Sequence, residues 1–275
     1  MQYVDFMWGR VLLDEIEGYE VGSNRVILWF LGGAGVAVKT EKSIIYIDPY
    51  FGVSPSRDWL RMIAIPIDPV EVRKATAVLS THEHGDHCHR ETIMPILENT
   101  RAVFVGPPSS SNIAKGWLKD SGLEDVRVIE VKPGMVIQLN DATLRVFESG
   151  DENALSAVTY LLDTPGGSLF HGGDTPYTPR LAEIGDRFRV DVALLSVGRS
   201  ARGRRDYMTA CEAVKAAIDL KARTLIPLHY DLWKATREDP SLVEYVAKVW
   251  KTDVEVKVLC LGDSLELENG LPRSR

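Results

Sequence analysis

A histidine-rich segment at residues 81–87, with the sequence Thr-His-Glu-His-Gly-Asp-His, is the feature that most constrains this chain. Four of the six histidines of the chain lie in it or just beyond it: His82, His84, His87 and His89. A buried histidine held by hydrogen bonds would explain one of these, but not four. The segment follows an apolar run at 75–79 and precedes a helix-like pattern at 90–97, so it is predicted to connect the end of a strand to a helix.

The spacing of these residues is that expected of a two-metal hydrolytic centre. At the end of a strand, His82 and His84 project to the same side and can approach one cation, because side chains alternate along a strand. Asp86 and His87 lie on the turn into the helix and can reach a second cation, with Gly85 allowing a sharp bend between the two pairs. Imidazole and carboxylate ligands suit Zn, Mn or Fe, and two such ions roughly 3.5–4 Å apart can activate a bridging hydroxide. A metal-free, exposed loop is the alternative, but this spacing is far more constrained than a histidine-rich tract.

Composition and charge narrow the class of protein. The chain has 275 residues, a net charge of −7 and a pI near 5.5, which makes nucleic acid an unlikely partner because phosphate neutralisation needs a basic face. The three cysteines are isolated and no segment resembles a secretory signal, so a cytoplasmic protein is predicted. No apolar run approaches the roughly 20 residues needed to cross a bilayer, so no membrane association is expected. A small-molecule substrate is the expected partner, and a homo-oligomer is left open.

The order of the predicted elements indicates two sets of strands with helices between them. Strands are expected at 25–31, 36–39, 43–47, 75–79, 102–105, 126–131, 136–139, 143–147, 158–162, 168–170, 192–195 and from 225 to the histidine at 229. Helices are expected at 90–97, 112–119, 209–220 and 241–250, with a further helix or arm within 1–21. The connection at 51–70 is expected to line a substrate mouth. Because no repeat, low-complexity tract or linker interrupts the pattern, residues 1–275 are predicted to form a single domain.

The residues at 82–87 resemble the signature of the metallo-β-lactamase superfamily. The resemblance implies an α/β (α+β) fold, a four-layer αββα sandwich of two mixed β-sheets flanked by helices, with the metals at one edge of the sheets. It also implies two later ligands: Asp174, in a Gly-Asp turn where a carboxylate can bridge both cations, and His229, at the end of a short apolar strand. Asp48, which ends the strand at 43–47, is either a turn former or an acid that holds the ligands by hydrogen bonds, as an acidic residue at this place does in the superfamily.

The first metal lacks a third protein ligand, because no histidine occurs between His89 and His171, where many superfamily members place one. Asp151 is the preferred ligand, with Glu148 and His171 as alternatives, and His171 suits hydrogen-bond support of the ligands at least as well. An oxygen ligand makes the site harder and favours Mn²⁺ over Zn²⁺, so two divalent ions, Mn or Zn, are the expected cofactors. The L-ascorbate-6-phosphate lactonases, one branch of the superfamily, carry an acid at this place. The segments at 164–174 and 226–233 are similar to the corresponding segments of those lactonases.

This resemblance implies a metal-dependent hydrolase acting on a lactone or related ester of an anionic small molecule, with a phosphate as one candidate for the charge. A metal-bound hydroxide would attack the carbonyl, while Asp86 holds the second metal and orients the nucleophile or accepts its proton. In the arginine-rich loop at 199–205, Arg199 and Arg202 are the preferred substrate contacts because arginine forks suit phosphate. A solvated run of charges is the alternative for this loop. Two other functions stay open: phosphodiester hydrolysis, including cleavage of nucleic acid, and a non-catalytic metal-binding module.

Overall fold

The computed structural model describes residues 9–200 and 204–273, which form two mixed β-sheets flanked by helices. Numbered along the chain, the strands of the first sheet are β1 (Arg25–Gly32), β2 (Gly35–Lys39), β3 (Ile44–Ile47), β4 (Ala77–Leu79), β5 (Val103–Gly106), β6 (Val128–Glu130), β14 (Ser264–Glu268) and β15 (Leu271–Pro272). Those of the second sheet are β7 (Val136–Leu139), β8 (Ala142–Glu148), β9 (Val158–Thr164), β10 (Gly167–His171), β11 (Val192–Ser196), β12 (Thr224–Leu228) and β13 (Glu255–Val256). The helices are α1 (Arg10–Gly18), α2 (Arg90–Thr100), α3 (Pro108–Asp120), α4 (Arg180–Arg187), α5 (Ala210–Asp219) and α6 (Ser241–Trp250), with a 3-10 helix at Pro69–Glu71.

Each sheet changes from antiparallel to parallel pairing along its order. Strands β1 to β3 pair as antiparallel neighbours, and β3 to β6 run parallel. The second sheet repeats this change, antiparallel from β7 to β10 and parallel from β10 to β13. Parallel neighbours need a crossover connection, which an α-helix supplies in each case except between β3 and β4, where the connection carries only the 3-10 helix. The carboxyl ends of β3 and β4 therefore share one edge of the first sheet, and those of β10 to β12 share one edge of the second.

Strand β1 shows how the layers pack. Its alternate residues Ile27 and Trp29 belong to a buried cluster with Leu13 of α1, on the helix side of the first sheet. Leu28, which points the other way, belongs to the cluster between the sheets together with Leu144 of β8. A third cluster packs the outer face of the second sheet against α4, α5 and α6. The predicted four-layer sandwich of two mixed sheets is confirmed.

Some elements differ from the prediction. Helix α3 begins at Pro108 rather than at 112, because proline suits the first turn of a helix, where its missing N–H is not needed. Helix α4 and strands β13 to β15 were not predicted. Strand β14 is recognisable only by its antiparallel pairing with β1, at the other end of the chain.

Of the helix or arm expected within 1–21, α1 is observed, and residues 1–8 lie outside the described residues. None of the helices in the described part of the chain is long and apolar enough to span a bilayer. The single domain and the homo-oligomer stay predictions.

Candidate metal centre

Strand ends bring the predicted ligands to one edge of the sandwich. The histidine-rich segment follows β4, and Asp174 and His229 follow β10 and β12. Two hydrogen bonds join the sheets at this edge: the Tyr160 hydroxyl donates to the Ser80 carbonyl oxygen at 2.7 Å, and the Val158 N–H donates to the carbonyl oxygen of residue 81 at 3.0 Å. Segments that are distant in the sequence are thereby held close together.

The side-chain donor atoms of the seven predicted ligands form three overlapping groups, with distances of no more than 4.8 Å within each. These groups are His82 with His84 and Asp151, His82 with His87 and Asp174, and Asp86 with His87 and His229. Because His82 and His87 are each shared between groups, the donors form one continuous cluster. Coordination of a metal by these residues stays a prediction, for which their placement is the first requirement.

Several of these donor atoms are buried and make no hydrogen bond, as expected where a cation belongs. His87 Nε2 lies 3.3 Å from an Asp174 carboxylate oxygen and 3.9 Å from an Asp86 oxygen. His229 Nε2 lies 3.3 Å from Asp86 and 3.8 Å from Asp174. Both Nε2 atoms and Asp174 Oδ1 are without a hydrogen-bond partner. Buried polar atoms are nearly always satisfied, so this set of nitrogen and oxygen donors fits a divalent ion between them.

Hydrogen bonds to Asp48 set the tautomers of two histidines. Its buried carboxylate accepts from the Thr81 hydroxyl at 2.6 Å, from the Thr81 N–H at 2.7 Å and from His87 Nδ1 at 2.9 Å. An ionised carboxylate only accepts, so in neutral His87 the proton sits on Nδ1 and Nε2 keeps the lone pair. The Thr81 hydroxyl spends its hydrogen on Asp48 and must accept from His82 Nδ1, 3.0 Å away. In neutral His82 the lone pair is therefore also on Nε2, which lies 2.9 Å from His84 Nδ1, and both histidines direct lone pairs to the cluster.

The electrostatics of the cluster favour positive charge. Burial opposes protonation of His87, but Asp174, Asp48 and Asp86 outweigh it and raise its pKa well above the usual value. The pKa of His229 is raised in the same way against burial, mainly by Asp174. The pKa of His82 is lowered by burial to about 3, so it is neutral, as a metal ligand must be. Without metal, protons on the two raised imidazoles would balance the carboxylates, and a cation would replace them.

Three residues were candidates for the third ligand of the first metal, and their surroundings separate them. Asp151 stands beside His82 and His84, and burial raises its pKa, so its ionised form benefits from a nearby cation. Glu148 is exposed and ion-paired with Arg180. Both ring nitrogens of His171 are engaged, one with the Ala34 carbonyl oxygen at 2.8 Å and the other accepting from the Gly173 N–H at 3.2 Å. Of the three, only Asp151 has a donor atom in the cluster.

Backbone geometry at the site requires left-handed conformations at three places. Asp48 and His229 have φ of 46° and 63°, which non-glycine residues rarely adopt. Gly173 has φ of 56°, and a Cβ there would lie 2.7 Å from the Thr81 hydroxyl oxygen, so glycine is required next to Asp174. Gly85 differs from the expectation, because its φ is not positive and a Cβ there would meet open space. The bend between the two ligand pairs does not depend on glycine.

Sequence reasoning missed several residues that hold the site. The Glu83 carboxylate accepts from the Leu155 N–H at 2.5 Å and from the Ser109 hydroxyl at 2.7 Å, which ties down the loop that carries Asp151. The indole N–H of Trp233 donates to Asp86 at 2.7 Å. The position of Glu83 inside the histidine-rich segment could have indicated a role at the site. Nothing in the sequence links Trp233 to Asp86, because only the tertiary structure brings them together.

A cleft of about 850 Å³, here called the metal-edge cleft, opens beside these donors and is lined by His84, Asp86, Asp151 and Asp174 among others. Arg199 also lines it, and its Nε lies 3.4 Å from a Glu238 oxygen, while the side chain is 70% exposed. Arg202, the other predicted substrate contact, lies outside the described residues. The connection after β3 lines the cleft as well, at several positions from residue 50 to residue 59, and the substrate mouth expected at 51–70 stays a prediction.

Comparison with known proteins supports the resemblance seen in the sequence. The family described as Beta-lactamase superfamily domain matches residues 44–230, more than half of the chain. A protein of Salmonella heidelberg named as a probable L-ascorbate-6-phosphate lactonase, UlaG, is 29% identical over 288 residues, which cover 89% of this chain and 80% of that protein.

Solved structures share the fold at lower identity. The metallo hydrolase Igni18 from Ignicoccus hospitalis has a TM-score of 0.68 and 21% identity, covering 89% of this chain and 99% of its own. An isothiocyanate hydrolase from Delia radicum gut bacteria has a TM-score of 0.72 and 13% identity, covering 88% of this chain and 99% of its own. At these identities, the likeness establishes the shared architecture alone.

Proposed function

Because this chain belongs to the metallo-β-lactamase superfamily, we propose that it is a metal-dependent hydrolase that opens a lactone or a related ester of a small anionic molecule. The observation that carries this proposal is the cluster of seven donor side chains at one edge of the sandwich, with unpartnered buried atoms on His87, His229 and Asp174. The similarity to a probable lactonase over most of the chain points to the ester class. We further propose that two divalent ions, Mn or Zn, bind at this cluster.

The residues would divide between the two ions according to their groups. His82, His84 and Asp151 would hold the first ion, and Asp86, His87 and His229 the second, with Asp174 placed to contact both. When bound, the ions would polarise the scissile carbonyl and supply an activated water. Asp48 accepts from His87 Nδ1, the ring nitrogen opposite the one that faces the cluster, and His171 accepts from the Gly173 N–H next to Asp174, so their proposed part is to hold the ligands in position.

Asp86 is proposed to orient the attacking water and to accept its proton. Burial disfavours its ionised form, but the charges of His87 and His229 outweigh that and lower its pKa well below the usual value. The indole N–H of Trp233 holds one of its oxygens. An ionised carboxylate in this position can orient the attacking water and take its proton as the oxygen adds to the carbonyl carbon. The ring C–O bond then breaks, the leaving oxygen receives a proton, and the product is the open hydroxy acid.

An anionic group on the substrate is proposed to meet Arg199 and Arg202. Arg199 lines the metal-edge cleft and is largely exposed, so its guanidinium can turn from Glu238 to a ligand. If so, replacing Arg199 with alanine raises KM for a phosphorylated lactone much more than for its neutral analogue. Equal effects on the two substrates would contradict this role.

Metal analysis combined with a substrate panel tests the proposed function. Mass spectrometry on gently purified protein should find two Mn or Zn ions, falling to about one in Asp151→Ala. The matched control is Glu152→Ala, which removes an exposed neighbouring carboxylate and should keep both ions. The metal-loaded protein should hydrolyse lactones in preference to phosphodiesters and β-lactams. Turnover of phosphodiesters alone would favour the phosphodiesterase alternative, and total inactivity of the loaded protein would leave the binding module.

A further inference from the structure

The metal-edge cleft has a wall of aromatic rings beside the metal ligands. Tyr50, Trp59 and Trp233 all line it, together with His84 and Asp86. The ring of Trp233 packs against Tyr50 at 5.5 Å and edge-on against Trp59 at 5.8 Å between centroids. Trp59 is 42% exposed, so one part of the wall is open to a ligand, while Tyr50 and Trp233 form its buried backing.

This wall is held in place without a ligand. The Arg61 guanidinium donates to the carbonyl oxygens of Tyr50 and Gly52 at 3.3 and 3.0 Å. Backbone pairing between Arg61 and Trp233 joins the connection after β3 to the segment after β12. The indole N–H of Trp233 is occupied by Asp86, which leaves its ring for packing. The wall is therefore preorganised, and little conformational entropy is lost when a ligand packs on it.

Exposed apolar side chains are concentrated on the connection that carries Trp59. Val53, Trp59, Leu60 and Met62 are each at least 40% exposed within ten residues of chain. Two of them, Val53 and Trp59, line the cleft. Apolar side chains grouped on an exposed connection next to a cleft are a usual sign of a binding surface rather than of a core.

The charges of the cleft leave no surplus of positive charge for a highly anionic ligand. Among the described lining residues, six carboxylates face two arginines, and two divalent ions would only balance that excess. Both arginines are already paired, Arg199 with Glu238 and Arg204 with Asp206. A neutral apolar group needs no positive charge in order to bind against the aromatic wall.

We propose that the substrate carries an apolar group, the size of a phenyl ring or a short alkyl chain, next to its scissile ester, and that this group packs on Trp59 against the backing of Tyr50 and Trp233. The inference rests on the proposed function, which sets the scissile bond beside the donor cluster that lines the cleft. Any anionic group is then a second and smaller part of recognition. Affinity comes chiefly from the apolar area removed from water.

Binding and turnover, measured separately, test the inference. We would titrate the metal-loaded protein with γ-lactams carrying methyl, propyl, hexyl or phenyl side chains, using calorimetry, because lactams bind without ready hydrolysis. The matching γ-lactones would be assayed for turnover. Kd should fall by about fourfold for each methylene that becomes buried. Trp59→Ala should weaken hexyl-lactam binding about tenfold and methyl-lactam binding less than twofold, whereas Trp59→Phe keeps most of the affinity.

Trp250 supplies the matched control, because it is 46% exposed at the end of α6 and does not line the cleft. Trp250→Ala should bind every lactam as the wild type does. Lactam affinities that do not depend on chain length, or equal affinities for Trp59→Ala and Trp250→Ala, would overturn the inference even if lactones are hydrolysed. Chain-length-dependent binding that Trp59→Ala abolishes supports the inference, and if no lactone is turned over it is the proposed function that fails.

Discussion

Replacing Asp48 with asparagine should lower metal affinity without touching any proposed ligand. Asparagine keeps the shape of the side chain and tolerates the left-handed φ of 46° at this position. Its carbonyl oxygen can still accept from the Thr81 N–H, but an NH₂ group would replace the oxygen that now accepts from the Thr81 hydroxyl and from His87 Nδ1. The NH₂ group would donate to His87 Nδ1 and move the ring proton to Nε2. The Thr81 hydroxyl would be free to donate to His82 Nδ1 and do the same there.

The size of the effect follows from the bonds affected. Three hydrogen bonds lose their charged acceptor, at a cost of about 1 kcal/mol each, so the metal-free protein should lose roughly 3 kcal/mol in its free energy of unfolding. His82 and His87, two of the proposed ligands, also lose the favoured tautomer. Changes of residues that orient metal ligands typically weaken metal binding by about 10–100-fold, and we expect Asp48→Asn to lie in that range.

Metal affinity would be measured by competition with a chromophoric chelator, and stability by denaturant unfolding of chelator-treated protein. Asp141→Asn is the control, because Asp141 also accepts three hydrogen bonds, from Thr40, Ser43 and the Lys42 N–H, and contacts none of the histidines. It should lose a similar amount of stability and keep the wild-type metal affinity. Wild-type metal affinity in Asp48→Asn, or equal weakening in both variants, would refute the assignment of the tautomers.

Three further predictions concern the same edge of the fold. Glu83→Ala should reduce the metal content from two ions to about one, because the loop that carries Asp151 loses its anchor. Glu83→Gln should keep both ions. Equal metal content in the two variants, measured by mass spectrometry, would contradict this prediction. In chelator-treated protein, the raised pKa values of His87 and His229 contribute stability that is fully present below their unfolded value of about 6.5 and lost as the pH rises through the folded values. The melting temperature of metal-free protein should therefore fall as the pH rises above neutrality. Metal binding, which releases those protons, should tighten over the same pH range. A melting temperature of metal-free protein that does not change with pH would count against the raised pKa values. Gly173→Ala should destabilise the protein by about 1–3 kcal/mol in denaturant unfolding, since φ is left-handed there and the added Cβ would meet the Thr81 hydroxyl. Gly85→Ala should change the free energy of unfolding by less than about 1 kcal/mol, because a Cβ there meets open space. Similar losses in the two variants would show that neither the left-handed φ nor the contact with Thr81 is the cause.

Much of the fold was predictable because it depends on local patterns. Most strands and four helices were expected near their observed places, since their apolar periodicity and their turn residues lie within a few positions of one another. Strand β14 was missed because its short, alternating segment becomes a strand only by pairing with β1. Helix α4 spans a single eight-residue segment, too short for its periodicity to stand out.

The candidate site divides in the same way. The sequence by itself predicted the pairs of candidate ligands in the segment at 81–87, because seven residues on a strand end have few ways to direct their side chains. It also left Asp151, Glu148 and His171 as alternatives. Only the tertiary structure decided that Asp151 faces His82 while Glu148 pairs with Arg180, because that depends on how the two sheets pack against each other. The aromatic wall of the cleft likewise joins segments far apart in the chain, and no spacing within either segment encodes their contact.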